Sequence, residues 1–445
     1  MGNNNFDRRN FLKLSTTALG SLALGGGLIL PQQTFAQKEA ANKPIRLGFI
    51  GVGGRGSYHL DCALGMEGVE VPVVCDINTS RLERAGAWVK ESGRPKPKLY
   101  SGNTDYLKVC SDHKLDAVIC STPWDIHAPI CLAAMRHDKH AVCEVPIVLT
   151  VDEAWEIVET YEKTGKWATI GLEGFGEPAV LNMIRKGVLG DIIHAETGYI
   201  HDLRRVKFDP EEEPWRLQHA VDRNGNLYPD HPMNKMLPAL DINHGDRIDF
   251  LVSMSSKSVM INEYAAKMYG PDSKYAKMPI KLGDYNATLI RTVNGKMMTL
   301  NHDTHTPHPR ESYRVQGTKG VYLGDKDSKR IYIEGLSPQH DQWEPADKYL
   351  KEYEHPMTKN YNPPPRKGGA TRGHGGSTNQ TPIVWHRLVM ALRENKMPDW
   401  DVYDSVTSSA ISPITEASVA GKCRPVDFPD FTRGKWKERT PLTFV

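Results

Sequence analysis

The sequence predicts a doubly wound, parallel α/β sheet followed by an α+β domain with an open, mainly antiparallel sheet. Short apolar runs alternate with helical patterns between residues 45 and 172, and a glycine-rich turn follows the first run. After Gly171 the pattern changes to longer strands, one pair separated by the hairpin signal Asn294-Gly295. At 445 residues the chain has room for two or three domains. Its 56 Lys+Arg nearly balance 54 Asp+Glu, so no basic field points to nucleic acid. Aromatic and β-branched residues run through the whole chain, which excludes a fibre or a disordered polymer.

The N-terminus carries Arg8-Arg9, a weakly apolar run from Leu14 to Leu30, and Thr34-Phe35-Ala36. Paired arginines ahead of a Gly- and Ser-diluted apolar stretch resemble a twin-arginine export signal. Residues 1–36 therefore read as a removable leader and the mature protein as periplasmic. The diluted run is a poor membrane span, and no stable span is expected after its removal. Seven cysteines, odd in number and without zinc spacing, read as buried small hydrophobes in a protein that folds in reducing surroundings.

Residues 37–172 form the first expected domain. Ile45–Ile50 is a strand, and Gly51-Val52-Gly53-Gly54-Arg55-Gly56 follows it, G-x-G-x-x-G in its required place before a helix starting near Ser57. Gly51 permits the tight turn, Gly53 lets the backbone approach a pyrophosphate, and the third glycine lets helix and strand pack closely. The next strand, Val69–Cys75, ends in Asp76, twenty residues beyond Gly56. A carboxylate there accepts ribose hydroxyls and repels a 2′-phosphate, so a Rossmann-like domain binding NAD is expected. The alternation continues with strands at Leu115–Ser121, His140–Glu144 and Trp167–Leu172 and helices at Ile126–Arg136 and Val151–Thr164. Ligands in such sheets lie beyond the strands' carboxyl ends, which puts Ser121–His127 and Glu144-Val145-Pro146 beside the nicotinamide.

Residues 173–445 form the second. Expected strands are Ile192–His201, Ser258–Ala266, Tyr285–Val293, Lys296–Thr304, Ser312–Gln316 and Val321–Gly324, with helices on one side and an open face that suggests a homo-oligomer. Phe208–Asp249 reads as a long irregular insertion, and Ser337–Thr381 as loop. His302, His305 and His308 have a metal-like spacing, but Pro307 and Pro309 put them in a loop and no metal is expected.

Several segments carry a resemblance: Trp124-Asp125-Ile126-His127, Glu144-Val145, Gly198–Arg204, Asn224–His231, Asp241-Ile242-Asn243, Gly373-His374-Gly375-Gly376 and Pro429–Trp436. With the glycine turn, they resemble the Gfo/Idh/MocA oxidoreductase superfamily and, more specifically, glycoside hydrolase family 109, the NAD-dependent α-N-acetylgalactosaminidases. The likeness spans nearly the whole mature chain in order. It implies hydride removal from C3 of a sugar or glycoside to tightly held NAD, loss of the C2 proton, elimination of the aglycone from C1, addition of water and re-reduction. It also implies that Gly54, Arg55, Asp76, Trp124, His127, Glu144 and Val145 hold the cofactor. Tyr199, Arg216, Tyr228, Pro229, Asp230, His231 and His374 fall at sugar-side positions, with Tyr228 and His231 catalytic.

Three departures matter. Many plain dehydrogenases of the superfamily have Glu-Lys-Pro where this chain has Glu144-Val145-Pro146, which suits the hydrolases. The hydrolases have a tyrosine, thought to deprotonate C2, after the fifth-strand Leu-Glu. Here Leu172–Pro178 contains none, and Glu177 is the candidate substitute. Finally, Lys235 stands where the family is small and Gly-rich, near enough to alter the choice of sugar. A glycoside 3-dehydrogenase, which needs no C2 base, is the alternative reading. A non-catalytic sugar sensor is a third, against which intact Asp76, His127, Tyr228 and His231 argue.

Overall fold

A computed structural model describes residues 44–111, 114–310, 312–359 and 380–444. The expected leader and His374 lie outside the described residues. The first sheet has six strands, β1 Ile45–Ile50, β2 Val69–Cys75, β3 Lys98–Tyr100, β4 Ala117–Cys120, β5 His140–Cys143 and β6 Ala168–Thr169. All pair in parallel in the order β3-β2-β1-β4-β5-β6. The order reverses between β1 and β4, which opens a crevice at their carboxyl ends. β4 and β5 are wholly buried, and this explains why their sequences are short apolar runs rather than alternating ones. The cysteines behave as expected: all seven are free thiols, and six of them are buried.

Boundaries moved where glycine or a turn intervened. The first helix is Gly54–Gly65, beginning ahead of Ser57, because low-propensity glycines hide a helix start that Gly53 caps. The strand expected at Trp167–Leu172 shrinks to β6, since the chain turns at Ile170, whose carbonyl accepts from the Glu173 amide at 2.9 Å.

The second sheet contains β7 Ile192–Ile200, β8 Ile248–Ser255, β9 Asn286–Thr292, β10 Met297–Asp303, β11 Tyr313–Gly317, β12 Gly320–Gly324, β13 Lys329–Ile333, β14 Glu344–Pro345 and β15 Val426–Asp427. Their order is β14-β13-β12-β11-β7-β10-β9-β8-β15, antiparallel except between β7 and β10. The strand expected at Ser258–Ala266 is instead the helix Met260–Tyr269, and β8 precedes it. Its apolar run is short enough to suit either period, and the Asp284 carboxylate decides by accepting the Val259 and Met260 amides that a helix start leaves free. The hairpin loop has three residues, Val293-Asn294-Gly295, rather than two, with only Gly295 at positive φ.

The insertion between Phe208 and Asp249 is not irregular. It contains the helices Trp215–Asp222 and Asp230–Leu240. Its prolines read as breakers, yet Pro214 caps the first helix and Pro232 sits in the first turn of the second, where a missing amide costs nothing. His302 lies on β10 rather than in a loop, and both it and His305 are fully buried; only His308 is exposed.

The long helix Val402–Ala420 is rich in buried Ser and Thr. Ser409 accepts from the Ile147 amide (3.0 Å), Ser405 from Ile170 (3.1 Å), Thr415 from Asn226 (2.9 Å) and Ser418 from Ser253 (2.9 Å). One helix thus satisfies backbone donors from the first sheet, the insertion and the second sheet. It packs against β8 and the helix Asp230–Leu240 against β7, while Met254, Leu289 and Met297 are exposed on the sheet.

Candidate functional site

A cleft of about 350 Å³ runs along the carboxyl ends of β1, β2, β4 and β5. At one end lies the glycine turn. Gly51 has φ +82°, and a Cβ there would stand 2.4 Å from the Ser121 carbonyl oxygen; one on Gly56 would stand 1.9 Å from the Gly51 oxygen. No side chain fits at either place, and the backbone is laid open to a ligand at the helix N-terminus. Asp76 closes this end, with one carboxylate oxygen 2.7 Å from the Val52 amide and the other 2.8 Å from that of Asn78. Donor-rich turn and carboxylate together fit a dinucleotide.

In the middle, the loops after β4 and β5 meet through His127. Its two ring nitrogens each lie 2.7 Å from a carbonyl oxygen, of Pro146 and of Thr122. Glu144 forms the floor. His59, whose Nδ1 accepts from Trp385 (3.3 Å), donates from Nε2 to Glu144 at 2.5 Å, and Arg55 lies 3.4 Å away. Burial would raise the Glu144 carboxyl, but Arg55 and His59 hold it well below the usual range. The group is therefore a fixed anion rather than a proton carrier. Val145 lines the same wall.

The far end is aromatic. Trp124 and Tyr228 stack with ring centroids 5.2 Å apart, Trp215 meets Trp124 edge-on at 5.1 Å, and Tyr199 lies 4.7 Å from Tyr228 and 5.4 Å from His231. The Arg216 guanidinium is enclosed by Trp124, Trp215 and Tyr228 at 4.8, 4.7 and 5.0 Å and bonds Glu213. Its charge faces ring π-clouds, so it braces this wall as well as lining it. His231 Nδ1 lies 2.7 Å from Glu173 Oε2. Burial would lower the imidazole's pKa, but Glu173 more than offsets this and leaves it raised. Burial pushes the Tyr228 phenol well above its ordinary value, although Arg216 opposes it.

Most of the sequence-assigned residues converge here: Gly51, Gly53, Gly54, Arg55, Asp76, Trp124, His127, Glu144, Val145, Tyr199, Arg216, Tyr228 and His231 all line the cleft. Pro229 and Asp230 do not. Pro229 caps the helix Asp230–Leu240, and the fully buried Asp230 faces away to accept from Ser409 at 2.6 Å. Glu177 is also elsewhere, 3.4 Å from Lys329 on β13, so it does not replace the missing tyrosine. Glu173, His59 and Trp215 were not singled out in the sequence. Glu173 was the most findable, because it follows β6 at the same sheet end as Asp76 and Glu144.

Residues 45–172 match the oxidoreductase family with an NAD-binding Rossmann fold, and residues 176–438 match the glycosyl hydrolase 109 C-terminal domain. A glycosyl hydrolase family 109 protein of Shewanella baltica is 36% identical over 99% of both chains, and one of Shewanella sp. strain MR-4 is 35% identical over the same shares. This chain belongs to glycosyl hydrolase family 109. Its fold is shared with a levoglucosan dehydrogenase solved with NADH and levoglucosan (TM-score 0.64, 19% identity, 87% of this chain and 100% of that one). It is also shared with an inositol dehydrogenase homologue from Azotobacter vinelandii solved with NADH and myo-inositol (TM-score 0.63, 17% identity, 88% and 99%). This family 109 member is an NAD-dependent enzyme with an NAD-binding Rossmann domain, and the glycine-turn end of the cleft fits such a cofactor.

Proposed function

We propose that the protein is an exported glycosidase that acts on hexopyranosides by transient oxidation at C3. The carrying observation is the continuity of the cleft: the glycine turn and Asp76 open into the cage of Tyr199, Tyr228 and His231 without a break. NAD, which the glycine turn and Asp76 would hold, would supply reversible hydride transfer. The protein's own residues handle position and protons. Glu173 engages His231 Nδ1 and leaves Nε2 for the sugar, so His231 takes the C3 hydroxyl proton. Tyr228, kept protonated by burial, donates a hydrogen bond to a sugar oxygen rather than acting as a base. Tyr199, whose hydroxyl lies 3.1 Å from His201 Nδ1, takes the C2 proton as it passes its own phenol proton to that imidazole.

A glycoside 3-dehydrogenase is the second reading. It is favoured by one observation: Leu172–Pro178 brings no tyrosine to the cleft, and Glu177 faces Lys329. Nitrophenol and NADH followed together, on α- and β-linked nitrophenyl hexosides and N-acetylhexosaminides, separate the two. Nitrophenol release without net NADH is expected. Net NADH with the glycoside intact overturns hydrolysis in favour of dehydrogenation.

A further inference from the structure

A second cavity, about 250 Å³, adjoins the sugar end and shares Arg55, Glu144, Tyr199 and His231 with the cleft. Its two carboxylates are already engaged, Glu144 by His59 and Arg55 and Glu173 by His231. Two further cations line it. The Lys235 ammonium lies 5.6 Å from the Tyr313 ring centroid, and the Arg310 guanidinium 5.9 Å from that of Tyr199. Among the described residues no carboxylate is within ion-pair distance of Lys235. Asn234, also in the wall, has a buried side-chain oxygen that receives no hydrogen bond from a described residue. Lys235 is half-buried and lines this cavity, whose two carboxylates are engaged, so an anion received there gains a charge-assisted hydrogen bond, which in a partly desolvated place outweighs a neutral one.

We infer that this cavity receives an anionic substituent, a carboxylate or a sulfate, on the sugar held at His231, so that the preferred substrate is an acidic hexoside. The inference rests on the glycoside reading above. Asn234 then accepts from a neighbouring hydroxyl, and Lys235 is the residue that sets specificity.

The test is calorimetric, on the NADH-loaded full-length enzyme, with a methyl hexopyranoside, the matching methyl hexuronide and its 6-sulfate. At least one anion is expected to bind about tenfold tighter than the neutral sugar, the scale of one charge-assisted hydrogen bond. A uronide preference assigns a carboxylate, and a sulfate preference a sulfate ester. In Lys235→Met, which keeps the packing stem, the anion-to-neutral ratio falls to about one, and in Lys235→Glu it inverts. Equal binding of all three sugars by the wild type, or an unchanged ratio in Lys235→Met, overturns the anion site. Turnover is scored apart. A preserved ratio without hydrolysis or oxidation of any nitrophenyl glycoside sinks the glycosidase reading alone, and binding of none of the three sugars sinks both.

Discussion

At the nucleotide end of the cleft the contacts come from residues 51–145 and depend on backbone laid bare by glycine. At the sugar end Tyr199, Trp215, Tyr228 and His231 arrive from β7 and the long insertion, and depend on rings and charges. The first end fails if a side chain is added, the second if one is removed. Fastening differs as well. The glycine turn is fastened by the neighbouring strand β2, through the Cys75 carbonyl and the Asp76 carboxylate, whereas the sugar end leans on the Ser/Thr helix Val402–Ala420.

Substitutions can break that contrast or sharpen it. His231→Ala should show the largest effect, a loss of turnover on the order of 10³-fold, with bound NAD retained. Unchanged turnover would remove His231 from the chemistry. Gly56→Ala is the converse, because its Cβ would stand 1.9 Å from the Gly51 oxygen. NADH affinity, read by fluorescence titration, should fall about 100-fold, and retention of tight binding would show that the turn can shift.

Glu173→Gln should lower kcat by about tenfold and shift its pH profile. The carboxylate raises the His231 pKa, so its loss lowers that pKa, and the limb governed by neutral imidazole moves to lower pH. A limb that stays put would assign it to another group. Asp76→Ala should relax the preference for NAD over NADP several-fold, measured as the ratio of dissociation constants.

The smallest expected change is in stability. Burial raises the Asp230 carboxyl to about 6, with Ser409 drawing it down in part. A folded-state value above the unfolded one means that stability is fully present below about pH 4 and is lost as pH rises through 6. Asp230→Asn should therefore be more stable relative to the wild type at pH 8 than at pH 4, read from denaturant midpoints, because any cost of the altered Ser409 bond is common to both.

The same contrast explains what the sequence made legible. The nucleotide end was readable because motif, strand and acid lie in one short stretch, where Gly51, Gly56 and Asp76 each answer a local geometric demand. Trp215 and Glu173 escaped because nothing near them in the chain marks them; their meaning appears only when β6 and the insertion fold onto one rim. The helix Met260–Tyr269 was misread for a related reason. Its start is fixed by Asp284, which lies beyond the window in which hydrophobic period can be judged. Prolines hid Asp230–Leu240, although Pro232 occupies a turn that tolerates it.

The Ser/Thr helix has a consequence in time as well as in space. Asp230 and its partner Ser409 are 179 residues apart, and Ile147 and Ser409 are 262 apart. At roughly 5–20 residues per second of synthesis, the insertion and the loop after β5 wait on the order of ten seconds or more for the hydroxyls that bond them. A nascent chain can complete its glycine turn and first strands long before that. The loop after β5 and the sugar end alike are completed only when that helix docks, and the cleft is not finished before the last part of the chain is made.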